Sequence, residues 1–229
     1  MIKRIIGHIP NAITCCNLLS GCMAVVFAFG GNVRAAFFWI VAGAAFDFCD
    51  GMSARLLHAY SPVGKELDSL ADLVTFGLAP AFLCRNVLQG IEWSCCSLFM
   101  PYTAFIITVA SALRLAKFNI DTRQTTSFLG LAVPADALFW CGVTLWLQGI
   151  SSPIAGYALL ACMLVMSGLM VSEIPMFSLK FKNLTLRDNL IRYIFLAGAA
   201  FCIIIAGLKG TALAIVFYIL LSLLSCRKK

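Results

Sequence analysis

The sequence predicts an all-helical, polytopic membrane protein. Three observations carry this: 62% of the 229 residues are hydrophobic and only 12% are charged, the mean hydropathy is +0.96, and apolar runs of membrane-spanning length recur along the chain. A soluble domain of this size cannot bury so much apolar surface.

The runs fall in order. A short N-terminal interfacial helix is expected first, with Lys3 and Arg4 among Ile2, Ile5, Ile6 and Ile9, suited to lie on an anionic leaflet. Met1 to Ala28 has the look of a signal peptide, but Asn11, Thr14 and Asn17 put polar groups through its apolar run. Spans are then read at 11–30, 33–56, 66–88, 96–118, 133–150, 153–172, 189–208 and 210–226. Glu173 and Pro175 end or bend the sixth, and the last two are joined by a very short turn. About eight spans place both termini on one side. Of the seventeen Lys and Arg, all but Arg34, Arg85 and Lys209 fall on that same side, which the positive-inside rule makes the cytoplasm of an inner, cytoplasmic membrane.

The eleven cysteines include adjacent pairs, Cys15-Cys16 and Cys95-Cys96, and show no metal-ligand spacing, so they read as small packing residues. The eighteen phenylalanines suit lipid-facing positions, and Trp39, Trp93, Trp140 and Trp146 suit interfacial belts or span packing. No internal repeat or soluble appendage interrupts residues 1–229, which read as a single integral domain. Membrane lipids are the expected surroundings, and no nucleic-acid partner is expected.

The functional signal is acidic. Asp47, Asp50, Asp68 and Asp72 lie within 26 residues of a chain that has ten acids in all. Each ionisable group at membrane depth costs about 2.5 to 3.5 kcal/mol on insertion scales, so such groups mark sites. Asp47 and Asp50 stand at i and i+3 on span two, and Asp68 and Asp72 at i and i+4 on span three, so each pair shares a helix face. The short connection between the spans makes them antiparallel, and the four carboxylates can converge.

Like charges sharing a site need a cation. Oxygen ligands suit a divalent metal, Mg²⁺ or Mn²⁺, with room for two ions clamping a displacement at phosphorus. Arg55 adds a planar fork that matches phosphate. Gly51 and Ala54 remove bulk between the acids and Arg55, and Gly64 near a helix start leaves space for an anion. The alternative, salt bridges from Arg55 and Lys65 that merely join two helices, leaves four carboxylates against two cations. His58, in the loop between the spans, reads as a surface residue, and His8 as interfacial.

The pattern Asp47-x-x-Asp50-Gly51-x-x-Ala54-Arg55, with Gly64-x-x-x-Asp68-x-x-x-Asp72 after eight residues, resembles the signature of the CDP-alcohol phosphatidyltransferase family at every fixed position. Three further stretches resemble its integral-membrane, serine-using branch: Pro10-Asn11-x-x-Thr14-x-x-Asn17, Phe76-Gly77-x-Ala79-Pro80 and Leu113-Arg114-Leu115-Ala116-Lys117-Phe118-Asn119. Phe128 to Leu131 with Pro134, and Ile174 to Ser178, extend the likeness to about residue 180. Ala132 departs from it where a proline is expected, and Asp136 is an unusual polar residue nearby.

The resemblance implies transfer of a phosphatidyl group from CDP-diacylglycerol to L-serine with release of CMP, by direct displacement, in a homodimer. It implies Asp47, Asp50, Asp68 and Asp72 as metal ligands, with Asp72 also the general base. It implies Arg55, Gly51, Ala54, Gly64, Asn11, Thr14 and Asn17 around the CDP-lipid. Serine needs a cation for its carboxylate, and Arg114, Lys117 and Asn119 are the candidates, although topology alone also puts basic residues at a cytoplasmic helix end. Within the family, glycerol 3-phosphate or an inositol phosphate is the alternative acceptor. The rival of another class is an ion-coupled carrier, which would show paired inverted halves.

Overall fold

The computed structural model describes residues 8–93, 97–121, 128–179 and 185–226. The interfacial helix expected over the first residues therefore lies outside the described residues. The described residues are predominantly helical. Their helices are α1 (Ile9–Phe29), α2 (Val33–Leu56), α3 (Pro62–Asp72), α4 (Ala79–Gln89), α5 (Ile106–Ile120), α6 (Val133–Trp146), α7 (Pro153–Val171), α8 (Leu186–Ala206) and α9 (Gly210–Cys226).

Local chemistry sets the helix ends. Asn32 accepts from the Ala35 amide at 3.1 Å and starts α2. Ser61 accepts from the Gly64 amide at 2.9 Å and starts α3, with Pro62 at the first helical position, where its missing N–H is no loss. His58 ends α2 with φ of 49° and is exposed, a loop role as the sequence implies. Among the described residues, α3, a π-helical turn over Leu73–Leu78 and α4 form one continuous stretch of 28 residues. At 1.5 Å per residue this is about 42 Å, longer than a bilayer core of about 30 Å.

Among the described residues, six helical stretches are long and apolar enough to cross a membrane, and Val133–Trp146 is shorter. The longest of the six, Asn189–Ser225, is a hairpin of α8 and α9. Gly207, with φ of 58°, opens the Gly207–Lys209 turn between them, and Phe195 meets Tyr218 with ring centroids 5.5 Å apart. The eight-span reading thus corresponds to α1, α2, α3 with α4, α5, α6, α7, α8 and α9. Many large apolar side chains face outward, among them Phe29, Phe38, Phe48 and Ile204, as lipid contact requires.

One departure from the all-helical expectation is a pair of two-residue strands, β1 (Phe128–Leu129) and β2 (Pro175–Met176), paired antiparallel. The neighbouring Gly130 amide donates to Ile174 O at 2.8 Å. Gly130 has φ of 72°, and a Cβ there would lie 2.8 Å from Ser172 O, so glycine is required for the clasp.

The core is built from Phe76, Ile40, Leu83, Leu88, Ile107, Trp140 and Met163, all fully or almost fully buried. Trp140 lies inside it rather than in an interfacial belt, and donates to Asp136 Oδ2 at 2.9 Å. Close helix approach depends on small residues. A Cβ on Gly142 would lie 2.5 Å from the Ala212 backbone nitrogen on α9. We expect Gly142→Ala to destabilise the fold by about 1 to 3 kcal/mol, read as a lowered thermal midpoint in detergent; an unchanged midpoint would contradict this packing.

Candidate active site

The acidic residues meet where α1, α2 and α3 pack together. Single carboxylate oxygens of Asp47, Asp50 and Asp68 all lie within 4.8 Å of one another, which joins the end of α2 to the start of α3 as their spacing implies. Asp72, one turn further along α3, is in electrostatic reach of Asp47, Asp68 and Asp50. It is anchored separately, because Asn17 Nδ2 donates to its Oδ1 at 3.0 Å.

The donor set fits a hard divalent cation. Asp50 Oδ2 and Asp68 Oδ1 are buried and have no hydrogen-bond partner, an arrangement that is costly unless something cationic completes it. Among the described residues no ion pair reaches the four aspartates. Arg55 Nε donates instead to Gly51 O at 2.8 Å, and Lys65 Nζ to Asn119 O at 2.8 Å. The two cations that could have turned the acids into a helix staple are engaged elsewhere.

Beside the acids is a cleft of about 200 Å³ whose walls include Asn11, Thr14, Asp50, Gly51, Ala54, Gly64 and Asp68. Six of the residues expected around a nucleotide lipid or metal are gathered here with Gly51. Tyr60 and Lys65, which the motif does not include, also line it. Arg55 is exposed and lies along its own helix over Gly51, where an added Cβ would stand 3.8 Å from its Nη2.

Two expectations come out differently. Gly64 lines the cleft with its backbone, but its side-chain side is taken by protein, since a Cβ there would lie 2.8 Å from Asn11 Oδ1, and its amide is already bonded to Ser61. Gly64 lets α1 approach α3, and its N–H is not free for a phosphate. Asn17 is fully buried and turned away from the cleft, toward Asp72 and Thr75.

The candidates for acceptor binding separate. Arg114 and Lys117 line a second cleft of about 290 Å³, together with Asp121, Met170 and Glu173. Arg114 is buried, donates to Leu131 O at 3.4 Å and sits over the Phe118 ring at 5.0 Å. Lys117 Nζ donates to Val171 O at 3.1 Å. Asn119 is not in this cleft; its Nδ2 donates to Ser69 Oγ at 2.9 Å. Together with the close approach of Gly77 to Ser111, that bond lays α5 antiparallel along α3 and its π turn.

Comparison with known proteins agrees with the geometry. The family model described as CDP-alcohol phosphatidyltransferase matches residues 7–181. A Bacillus subtilis protein named CDP-diacylglycerol–serine O-phosphatidyltransferase is 39% identical over 132 residues, covering 56% of this chain and 70% of that protein. The protein of the same name from Methanocaldococcus jannaschii is 31% identical over 213 residues, 93% of this chain and 90% of its own. One from Saccharomyces cerevisiae is 36% identical over 124 residues, 51% of this chain and 43% of its own. The matched region runs from α1 to beyond β2 and so contains all four clustered aspartates. A signature met at every fixed position, carboxylates brought together by one hairpin, and a model match over most of the length place this chain in the CDP-alcohol phosphatidyltransferase family.

Proposed function

We propose that this protein is a phosphatidylserine synthase, transferring the phosphatidyl group of CDP-diacylglycerol to the hydroxyl of L-serine with release of CMP. The observation that carries the reading is the cluster of Asp47, Asp50 and Asp68 in a chain similar along 93% of its length to a protein of that name.

The residues divide the work. Asp47, Asp50 and Asp68, with Asp72 beside them, would hold Mg²⁺ or Mn²⁺, with two ions as the expected complement. A bound divalent cation there supplies charge neutralisation for the phosphoryl oxygens. Arg55, at the rim beside Gly51, is the cation for the nucleotide phosphates. The cleft of Asn11, Thr14, Gly51, Ala54 and Gly64 receives the CDP moiety. Asp72 takes the proton of the serine hydroxyl as its oxygen bonds to phosphorus and the bond to CMP breaks. Such assistance contributes typically about 10² to 10⁴ in rate. Arg114 and Lys117 are the cations for the serine carboxylate.

The working enzyme is read as one integral domain, a homodimer in the inner membrane, with the acids and both termini toward the cytoplasm; the distribution of Lys and Arg supports that orientation. The assay is direct. Purified protein with CDP-diacylglycerol, Mg²⁺ or Mn²⁺ and labelled serine is expected to form labelled phosphatidylserine. Labelled lipid from glycerol 3-phosphate or an inositol phosphate, and none from serine, would overturn the assignment of acceptor.

A further inference from the structure

We propose that Asn17, fixed by Thr75, is a positioning residue that holds the Asp72 carboxylate in its reactive orientation. The inference rests on the catalytic reading of Asp72 given above. It assigns Asn17 a different partner from the nucleotide that the resemblance implies.

Asn17 is inaccessible at 0% exposure, and Thr75 is likewise at 0%. A side chain so enclosed does not touch a ligand in the cleft, and Asn17 is absent from the walls that Asn11 and Thr14 help form. Its hydrogen bonds are instead internal. Thr75 Oγ1 donates to Asn17 Oδ1 at 2.8 Å and lies 3.1 Å from Asn17 O. Asn17 Nδ2 donates to Asp72 Oδ1 at 3.0 Å.

The order of these bonds has a consequence for the amide. An asparagine presents an acceptor oxygen on one side and a donor NH₂ on the other, and can be turned either way. The ionised Asp72 carboxylate only accepts, so the NH₂ is directed at it, and the amide oxygen on the other side takes the Thr75 hydroxyl proton. Among the described residues, Asn17 is the hydrogen-bond partner of the Asp72 carboxylate. One oxygen is thus tied, and the other is left for the reacting hydroxyl.

The surroundings are built to this fit. A Cβ on Gly43 would lie 2.9 Å from Asn17 Oδ1 and would overlap the Thr75 methyl, and a Cβ on Gly21 would lie 2.9 Å from the Thr75 backbone nitrogen. Glycines on α1 and α2 therefore let the triad close. An aspartate held by a buried amide keeps its direction without solvent, which a catalytic carboxylate among other carboxylates would otherwise lack.

The test separates orientation from nucleotide contact. Asn17→Ala is expected to lower kcat by about 10- to 100-fold, with KM and equilibrium binding of CDP-diacylglycerol changed by less than about twofold. In an Asp72→Asn background the same substitution is expected to add no further loss, because the group it orients is gone. Thr75→Ser, which keeps the donor, should retain activity that Thr75→Val loses, and this pair decides the matter if Asn17→Ala fails to fold. A raised KM for CDP-diacylglycerol with kcat unchanged, or Thr75→Ser and Thr75→Val behaving alike, would overturn the proposal. If the unaltered protein makes no lipid from serine, it is the reading of function that fails, and not the positioning of Asp72.

Discussion

In the Asp72→Asn protein, kcat for phosphatidylserine formation is expected to fall by about 10² to 10⁴, the usual contribution of a general base, while CDP-diacylglycerol still binds. The substitution preserves shape. The amide oxygen of an asparagine at 72 can accept from Asn17 Nδ2 as Asp72 Oδ1 does at 3.0 Å, so the buried triad stays intact and only the capacity to take a proton is lost. Turnover measured beside equilibrium binding of the CDP-lipid distinguishes this from a collapsed site. Full activity in this variant would remove Asp72 as the base.

The second large effect concerns the cation. Stripping divalent ions with a chelator is expected to reduce turnover to background, and Mg²⁺ or Mn²⁺ to restore it. A readout independent of activity follows from the buried, unpartnered oxygens of Asp50 and Asp68. Three carboxylates with ligand atoms within 4.8 Å of each other repel until a cation joins them, so the ion binds the folded state preferentially. At a hundredfold excess over Kd, one such site stabilises by about 2.7 kcal/mol. Thermal unfolding should therefore shift upward with Mn²⁺ in the unaltered protein and shift little in Asp50→Asn or Asp68→Asn. An equal shift in all three would place the ion elsewhere.

Much of the site was legible because its parts are local. The i, i+3 spacing of Asp47 and Asp50, the i, i+4 spacing of Asp68 and Asp72, and a short connection between two apolar runs suffice to bring carboxylates from neighbouring helices together. The partners of Asn17 were not legible in the same way. Asn11, Thr14 and Asn17 recur every three residues, but at 3.6 residues per turn each step slips by about 60°, so Asn17 points about 120° away from Asn11. Asn11 and Thr14 reach the cleft, and Asn17 reaches Asp72, 55 residues along the chain. The β1–β2 clasp escaped for a related reason: two residues per strand carry no periodicity, and Gly130 was the one local sign of it. Asn119 looked like part of an acceptor site beside Arg114 and Lys117, yet its position at the end of α5 turns it to Ser69 on α3.

The wide turn over Leu73–Leu78 joins a charged half-helix to an apolar one and sets their relative phase. Thr108 Oγ1 donates to Gly77 O at 3.2 Å, so the loosened backbone is tied to the neighbouring helix and not left to water. A π turn carries one residue more than the α-helical turns around it, so the loss of one residue here lets the stretch close into α-helix with Leu83 and Leu88 still directed at the core that they fill. The stretch between the last acid and Ala79 is thus the place where this helix can shed a residue while the acids and the apolar half keep their faces.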